Sequence, residues 1–352
     1  MKRSGVIGFL LLVLLAACAP ATPAGPRTLT VMTHDSFDIS EEVIAAFETA
    51  HNADVVILKS GDAGLMLNQA ILSANNPLAD VLYGVDNTLM SRGLAADIFE
   101  PYDSPRLAQV PASLDLDPEH RLLPVDFGDV CLNYDRGWFA ERGLTPPATL
   151  EDLVAPAYRG LTVVENPASS SPGLAFMLAT IGHFGTSGAY TWLDYWADLR
   201  ANEVRVSDGW EDAYWGQFTY GSGGQGDRPI VVSYASSPPV EVYFAEQEFS
   251  EAPTGVVVSD GSCFRQIEFV GILRGSAQRD LAEAWVDFML STAFQEDIPL
   301  HMFMFPVNEN AALPDVFVRF AQIPERPAQV SPAEIEANRE TWVEQWVETV
   351  LR

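Results

Sequence analysis

The sequence has 352 residues, 48% hydrophobic and 19% charged, which is ample for one or two packed domains and too apolar for a disordered chain. Asp and Glu number 48 against 20 Lys and Arg, a net charge of −28. That balance speaks against nucleic acid, which needs a basic footprint, and against electrostatic docking on anionic lipid; it suits a well-solvated acidic surface and is compatible with a cationic ligand.

The chain opens with Lys2 and Arg3, an apolar stretch from Val6 to Ala17, and Cys18. Twelve apolar or small residues are too few to span a bilayer, and a basic region before a short apolar one reads as a secretory signal. Leu15-Ala16-Ala17-Cys18 resembles the bacterial lipobox, in which cleavage precedes a cysteine whose thiol is lipidated; an ordinary signal peptide with a chance cysteine is the alternative. On the lipobox reading residues 1–17 are lost, Cys18 carries the lipid, and 18–27, with Pro20, Pro23 and Pro26, form an extended tether. No later segment has eighteen consecutive apolar residues, so the expected protein is extracytoplasmic and held on the membrane by lipid alone.

Beyond the tether, strands and helices alternate. Thr28–Met32, Asp54–Lys59 and Asp80–Val85 read as strands, with a helix opening at Ser40-Glu41-Glu42 between the first two and another over Gly64–Ala74 before the third. Val130–Tyr134, Leu161–Val164, Ile230–Tyr234 and Gln266–Leu273 are further strands. Thr149 is placed to cap a short helix, and Gly173–Phe184, Gly188–Ala201 and Ala277–Leu290 read as helices. Ser331 starts a terminal helix with Ile335, Trp342, Trp346 and Val350 on one face, a packing stripe rather than a site. The pattern predicts an α/β fold with mixed, mostly parallel sheets flanked by helices.

Catalytic signatures are missing. Gly221-Ser222-Gly223-Gly224-Gln225-Gly226 fits G-x-G-x-x-G, but no strand precedes it and no helix follows, so it reads as a loop. The five histidines (His34, His51, His120, His183, His301) form no metal-ligand spacing, and no P-loop or G-x-S-x-G occurs. Nothing favours an enzyme, a metal or a cofactor.

Ordered local motifs carry more. They are Thr33-His34-Asp35-Ser36-Phe37, Gly84-Val85-Asp86-Asn87, Pro124-Val125-Asp126-Phe127-Gly128 and Ser170-Ser171-Pro172-Gly173-Leu174. Gly209-Trp210-Glu211-Asp212-Ala213-Tyr214, Ser233-Tyr234-Ala235-Ser236-Ser237-Pro238 and Phe303-Met304-Phe305-Pro306-Val307 complete the set. Taken together, from about Leu29 to the C-terminus, they resemble the thiamine-binding proteins of bacterial ABC importers. That group is similar in turn to the iron(III)- and polyamine-binding proteins of the two-lobed type II periplasmic fold.

The resemblance implies a solute receptor that delivers thiamine, or a thiamine phosphate, to permease subunits, as a monomer. Another solute (a polyamine, ferric iron or a phosphonate) is the alternative, and a secreted hydrolase a more distant one. It also implies a ligand site. His34 and Asp35 match a Tyr-Asp of the family, so a histidine stands where the family has an aromatic ring. Trp210 matches a stacking tryptophan, Tyr214 the tyrosine after it, and Phe303 a usual tryptophan; Val240 replaces a further tyrosine. Asp62, Asp126 and Ser170 match polar positions. Trp210 and Phe303 are expected on the ligand rings with His34 and Tyr214 at the edges, while Tyr234 either meets the ligand or packs under the hinge. A flat thiazolium cation suits aromatic faces with carboxylates nearby. Asp62 also suits the N-cap of its helix.

The two-lobed fold implies lobes of about 28–125 plus 266–352 and of 126–265, with crossings near Asp126–Tyr134 and Ser262–Glu268. Cys131 and Cys263, the cysteines left after Cys18, fall in those crossings and suggest a disulfide in an exported protein; two buried free thiols are the alternative.

Overall fold

The computed structural model describes residues 25–245 and 248–352. The leader, Cys18 and the tether up to residue 24 lie outside the described residues.

Among the described residues eleven strands form one sheet: β1 (Arg27–Thr33), β2 (Ala53–Lys59), β3 (Val81–Asp86), β4 (Phe99–Glu100), β5 (Leu123–Asp135), β6 (Thr162–Glu165), β7 (Arg205–Ser207), β8 (Ile230–Tyr234), β9 (Thr254–Val257), β10 (Phe264–Leu273) and β11 (Phe305–Pro306). The spatial order is β2-β1-β3-β10-β5-β8-β6-β7. Both flanks are parallel: β1 pairs β2 and β3, and β6 pairs β7 and β8. β3, β6 and most of β8 are buried, as expected for short β-branched runs covered on both faces.

The centre differs. β5 and β10 pair antiparallel with each other and with their outer neighbours β8 and β3. The thirteen residues of β5 divide their pairings: Leu123–Val130 lies against β10, Val130–Tyr134 against β8, and Leu132–Asp135 against β9. The parallel character read from the sequence therefore belongs to the flanks. The two long strands that link them run opposite to each other.

Cys131 on β5 and Cys263, just before β10, stand next to the Val130–Phe264 pair of that ladder. Their sulfurs are bonded at 2.09 Å, with Cα atoms 4.5 Å apart.

Two predicted helices begin elsewhere. The Gly188–Ala201 segment is helical only over Trp192–Ala201, because Thr191 forms a capping box with Asp194 while Gly188 sits at φ 128° outside it. Thr149 does not cap: its N–H donates to Asp152 Oδ2, and only a 3₁₀ turn, Glu151–Val154, follows before Pro156. The helix Ser171–Phe184 is almost wholly buried and packs on the sheet.

The terminal helix Pro332–Val350 buries Ile335, Trp342, Trp346 and Val350, with Ser331 in a capping box. Trp346 meets Trp196 edge-on at 5.2 Å. The helix thus leans on Trp192–Ala201 as well as on Met90–Ala95, so the 266–352 segment is not confined to the β1–β3 flank where it is expected. Two indoles need a larger partner surface than the six-residue helix Met90–Ala95 offers.

Candidate functional site

A cavity of about 400 Å³ opens where the two flanks meet. Its lining comes from residues just past the carboxyl ends of β1, β2, β7 and β8, from Glu268 on β10 and from the 301–304 segment. Strand ends of this kind are where open α/β sheets place ligands.

One wall is aromatic. Trp210 stacks on Tyr214 with ring centres 4.8 Å apart and planes at 18°. Trp215 stands edge-on to both, at 5.8 Å and 4.8 Å. A π-turn over Asp212–Gln217 accounts for the grouping, since its wider winding makes residues five apart neighbours and lets Trp210 and Trp215 share one face. The Trp210 indole N–H donates to Ser233 Oγ at 3.0 Å, which fixes the ring's edge. Tyr214 is fully buried behind it and donates to Glu241, which also accepts from Thr254 Oγ1 at 3.1 Å. Burial pushes the Glu241 carboxyl up to about 8, with the Tyr214 hydroxyl pulling the other way.

Phe303 lines the same cavity, edge-on to exposed Phe244 at 6.2 Å. Its φ of 57° is left-handed, at the end of the helix Ile298–His301, where glycine is the easy choice. Holding a side chain there costs about 1–2 kcal/mol. No conformational preference of phenylalanine supplies that, so the ring itself is what the position retains.

The floor is built of carboxylates. Glu268 lines the cavity from β10, with Oε1 at 3.6 Å from His34 Nε2 and Oε2 accepting from the Tyr83 hydroxyl at 3.0 Å. Asp126 lies opposite Glu268 in the β5–β10 ladder and also accepts from Tyr83. Burial and the Glu268 charge push the Asp126 carboxyl well up; burial also opposes the Glu268 charge, but His34 and the hydrogen bonds to Glu268 keep that carboxyl below its ordinary range. His34 is seated by Gly84, at φ 103°, where a Cβ would meet the imidazole Cδ2 at 2.4 Å. Burial works against the His34 imidazolium, yet Glu268 and then Asp62 and Asp35 raise its pKa overall.

Asp62 caps the helix Ala63–Leu72. Its Oδ1 accepts from Ala63 N at 2.7 Å and Ser171 N at 3.0 Å, and its Oδ2 from Trp210 N at 3.3 Å. One carboxylate so ties the end of β2 to the starts of two segments on the other flank. Gly64 permits the approach, since a Cβ there would lie 2.6 Å from the Ser169 carbonyl oxygen.

Of the residues singled out in the sequence, His34, Asp35, Asp62, Trp210, Tyr214, Tyr234 and Phe303 gather on this cavity. Tyr234 does both things expected of it: it lines the cavity, and its hydroxyl donates to Gln266 Oε1 on β10 at 2.7 Å. Two residues stand back. Asp126 is fully buried behind Glu268, and Ser170 is buried before the helix Ser171–Phe184, leaving Ser171 on the cavity. In each case one residue along, or one strand across, alters which side chain faces inward. Tyr214 serves as backing for Trp210 more than as an edge.

Sequence reasoning missed Glu268, Trp215, Phe244 and Lys59, all on the cavity. Glu268 had a signal, the lone carboxylate of β10, set between Ile267 and the apolar run from Phe269. Lys59 had another: it and Lys2 are the only lysines in the sequence.

Residues 76–318 match the family of bacterial extracellular solute-binding proteins. A thiamine-binding periplasmic protein of Salmonella typhimurium is 30% identical over 344 residues, covering 96% of this chain and 98% of that one. Among solved structures, a periplasmic thiamin binding protein superposes with a TM-score of 0.78 at 26% identity, over 94% of this chain and all of that one. A ferric binding protein from Campylobacter jejuni superposes at 0.71 with 16% identity, over 91% and 99%, which shows a shared fold.

Proposed function

The chain belongs to the bacterial extracellular solute-binding proteins, and from that premise we propose that it captures thiamine outside the cytoplasm and delivers it to an ABC import permease. The observation that carries the reading is the pairing of an aromatic wall with an ionised floor. Trp210 offers an indole face backed by Tyr214, and Glu268 supplies a buried negative charge in the same cavity. A flat ring with a permanent positive charge is stabilised by both at once. A ferric ion gains nothing from the indoles.

A phosphate ester of thiamine is favoured by one observation: Lys59 stands on the wall of this otherwise acidic cavity. In this reading the second lobe is about 126–265, and the protein is a monomer that performs no catalysis. Its lobes close on the ligand about β5 and β10, and a lipid on Cys18 holds it to the membrane through residues 18–27. Among the described residues no helix is long and apolar enough to cross a membrane.

Calorimetric titration with thiamine, after unfolding and refolding to strip bound ligand, tests the reading. Saturable one-to-one heat is expected. Its absence, together with an unshifted melting curve, refutes thiamine capture.

A further inference from the structure

The cavity floor contains a base that nothing so far has used. His34 Nε2 is buried, makes no hydrogen bond, and sits 3.6 Å from Glu268 Oε1, within ion-pair reach. Resting on the capture of a cationic ring, we propose that His34 is a displaceable internal cation. It occupies the place beside Glu268 that the ligand's positive charge takes, and it gives up its proton to solvent as the ligand binds.

Among the described residues, the groups facing His34 are anionic or neutral. Glu268 comes from β10, Asp62 from the helix cap after β2, and Asp35 from the next position in the chain, with the Tyr83 ring from β3 at 5.6 Å. Behind Glu268 stand Asp126 on β5 and Asp86 at the end of β3, which burial pushes up, to about 7 in the case of Asp86. Without ligand, a buried Glu268 carboxylate needs a counter-charge, and the imidazolium is the one in reach. Among the described residues, the other basic side chains on the cavity are elsewhere engaged or outward: His301 Nδ1 lies 3.2 Å from Asp297 Oδ2, and Lys59 is exposed. A thiazolium beside Glu268 supplies the counter-charge permanently. Two cations then compete for one buried carboxylate, and only the imidazolium can leave by losing a proton.

The consequence is selection for fixed charge together with proton release. A permanent cation drives His34 neutral, whereas a neutral isostere leaves the imidazolium in place. Affinity for the cation therefore rises with pH below the His34 pKa, by up to about tenfold per pH unit, and levels off above it.

The test is calorimetric titration at pH about 6 in buffers of different ionisation enthalpy, with thiamine and with its neutral thiophene isostere. For thiamine, release approaching one proton per site is expected; the isostere should release none, and His34→Gln should abolish the release. Thiamine that binds without releasing a proton overturns the inference and leaves the capture reading standing. So does release that persists in His34→Gln, which assigns the proton to another group. No thiamine binding at all defeats the capture reading, and this inference with it. If His34→Gln does not fold, the wild-type His34 C2–H resonance decides: it should move to the neutral-imidazole position on saturation, and one that stays at the imidazolium position refutes the proposal.

Discussion

The two sides of the cavity are made of different material. The β7–β8 side presents rings: Trp210, Trp215 and Tyr234, with Tyr214 as backing. The β1–β3 side, with β10, presents charge: Glu268 and Asp126 both accept from the Tyr83 hydroxyl, and His34 lies within ion-pair reach of Glu268. Rings alone would accept any flat apolar solute, and carboxylates alone any cation. Specificity for a flat cation requires both, placed on opposite flanks of one sheet so that the ligand completes the contact between them. Asp62 links the flanks through backbone donors and so holds the two walls of the cavity in register.

The largest expected effect comes from the charged side. Glu268→Gln keeps the shape and removes the negative charge from the floor. Thiamine affinity should fall on the order of a hundredfold, about 3 kcal/mol, while the neutral thiophene isostere changes little. Titration of both ligands against this variant measures how much of the recognition is charge. Equal losses for the two would mean that the floor acts through shape.

The aromatic side should matter next. Trp210→Ala removes the exposed face of the stack and should weaken thiamine about tenfold or more, as for loss of a desolvated cation–π contact. The change also strips a ring from Tyr214 and a donor from Ser233, so the ligand-free protein should melt somewhat lower. Trp210→Phe should recover most of the stability and part of the affinity. A variant that loses several kcal/mol of stability and no affinity would make the indole a core anchor only.

Behind that face, Tyr214→Phe separates backing from contact. It leaves the stack and removes the donor to Glu241, costing about 1–3 kcal/mol of stability with affinity changed less than about threefold. The pH dependence has a definite sign. The Glu241 pKa is about 8 when folded against 4.5 as its ordinary value, so folding takes up a proton between them. Its contribution is fully present below the unfolded pKa and declines as pH rises toward 8. Denaturant melts of ligand-free Glu241→Gln should show a flatter profile over that window. An unchanged profile would assign the titration elsewhere.

The two sides also differed in how readable they were. Trp210 and Tyr214 stand in the motif Gly209–Tyr214, which the resemblance to the thiamine-binding proteins picked out. Glu268 sits in a ten-residue strand otherwise read as core, and whether it is charged depends on His34, Tyr83 and Asp126, which come from β10's spatial neighbours rather than its sequence neighbours. Asp126 is also a carboxyl of comparable burial, yet burial and the Glu268 charge push its pKa well up. Periodicity located β5 and β10, but which face of each meets the cavity is set by the β-bulge between Glu268 and Phe269 and by the pairing register. The flanking strands β1, β2, β3, β6 and β8 were legible because each is a short run of mostly apolar or β-branched residues, whereas the three residues of β7, Arg205-Val206-Ser207, offered none. The antiparallel centre was not, because strand direction in a sheet is a property of the path between elements.

Lys59 gives the smallest effect and the finest cut between the two sides. It is the one lysine among the described residues, exposed at the end of β2 on the charged flank, three residues before the Asp62 cap. A cation there does nothing for thiamine, whose own positive charge it repels weakly across solvent. For thiamine monophosphate it is an attractive partner, on the same cavity as Ser171 at the start of the helix Ser171–Phe184. Lys59→Met keeps the apolar stem and removes the charge. It should leave thiamine affinity within about twofold and weaken the monophosphate about three- to tenfold, since an exposed ion pair contributes about 0.2–1 kcal/mol and somewhat more when it meets a doubly charged group. Salt should erase the difference, because the ammonium is open to solvent. Competition titrations of the two ligands at low and high ionic strength read this directly. If Lys59→Met weakens both ligands alike, the lysine shapes the wall of the cavity; if it weakens neither, the ester points away from β2 and the charged flank ends at Asp62.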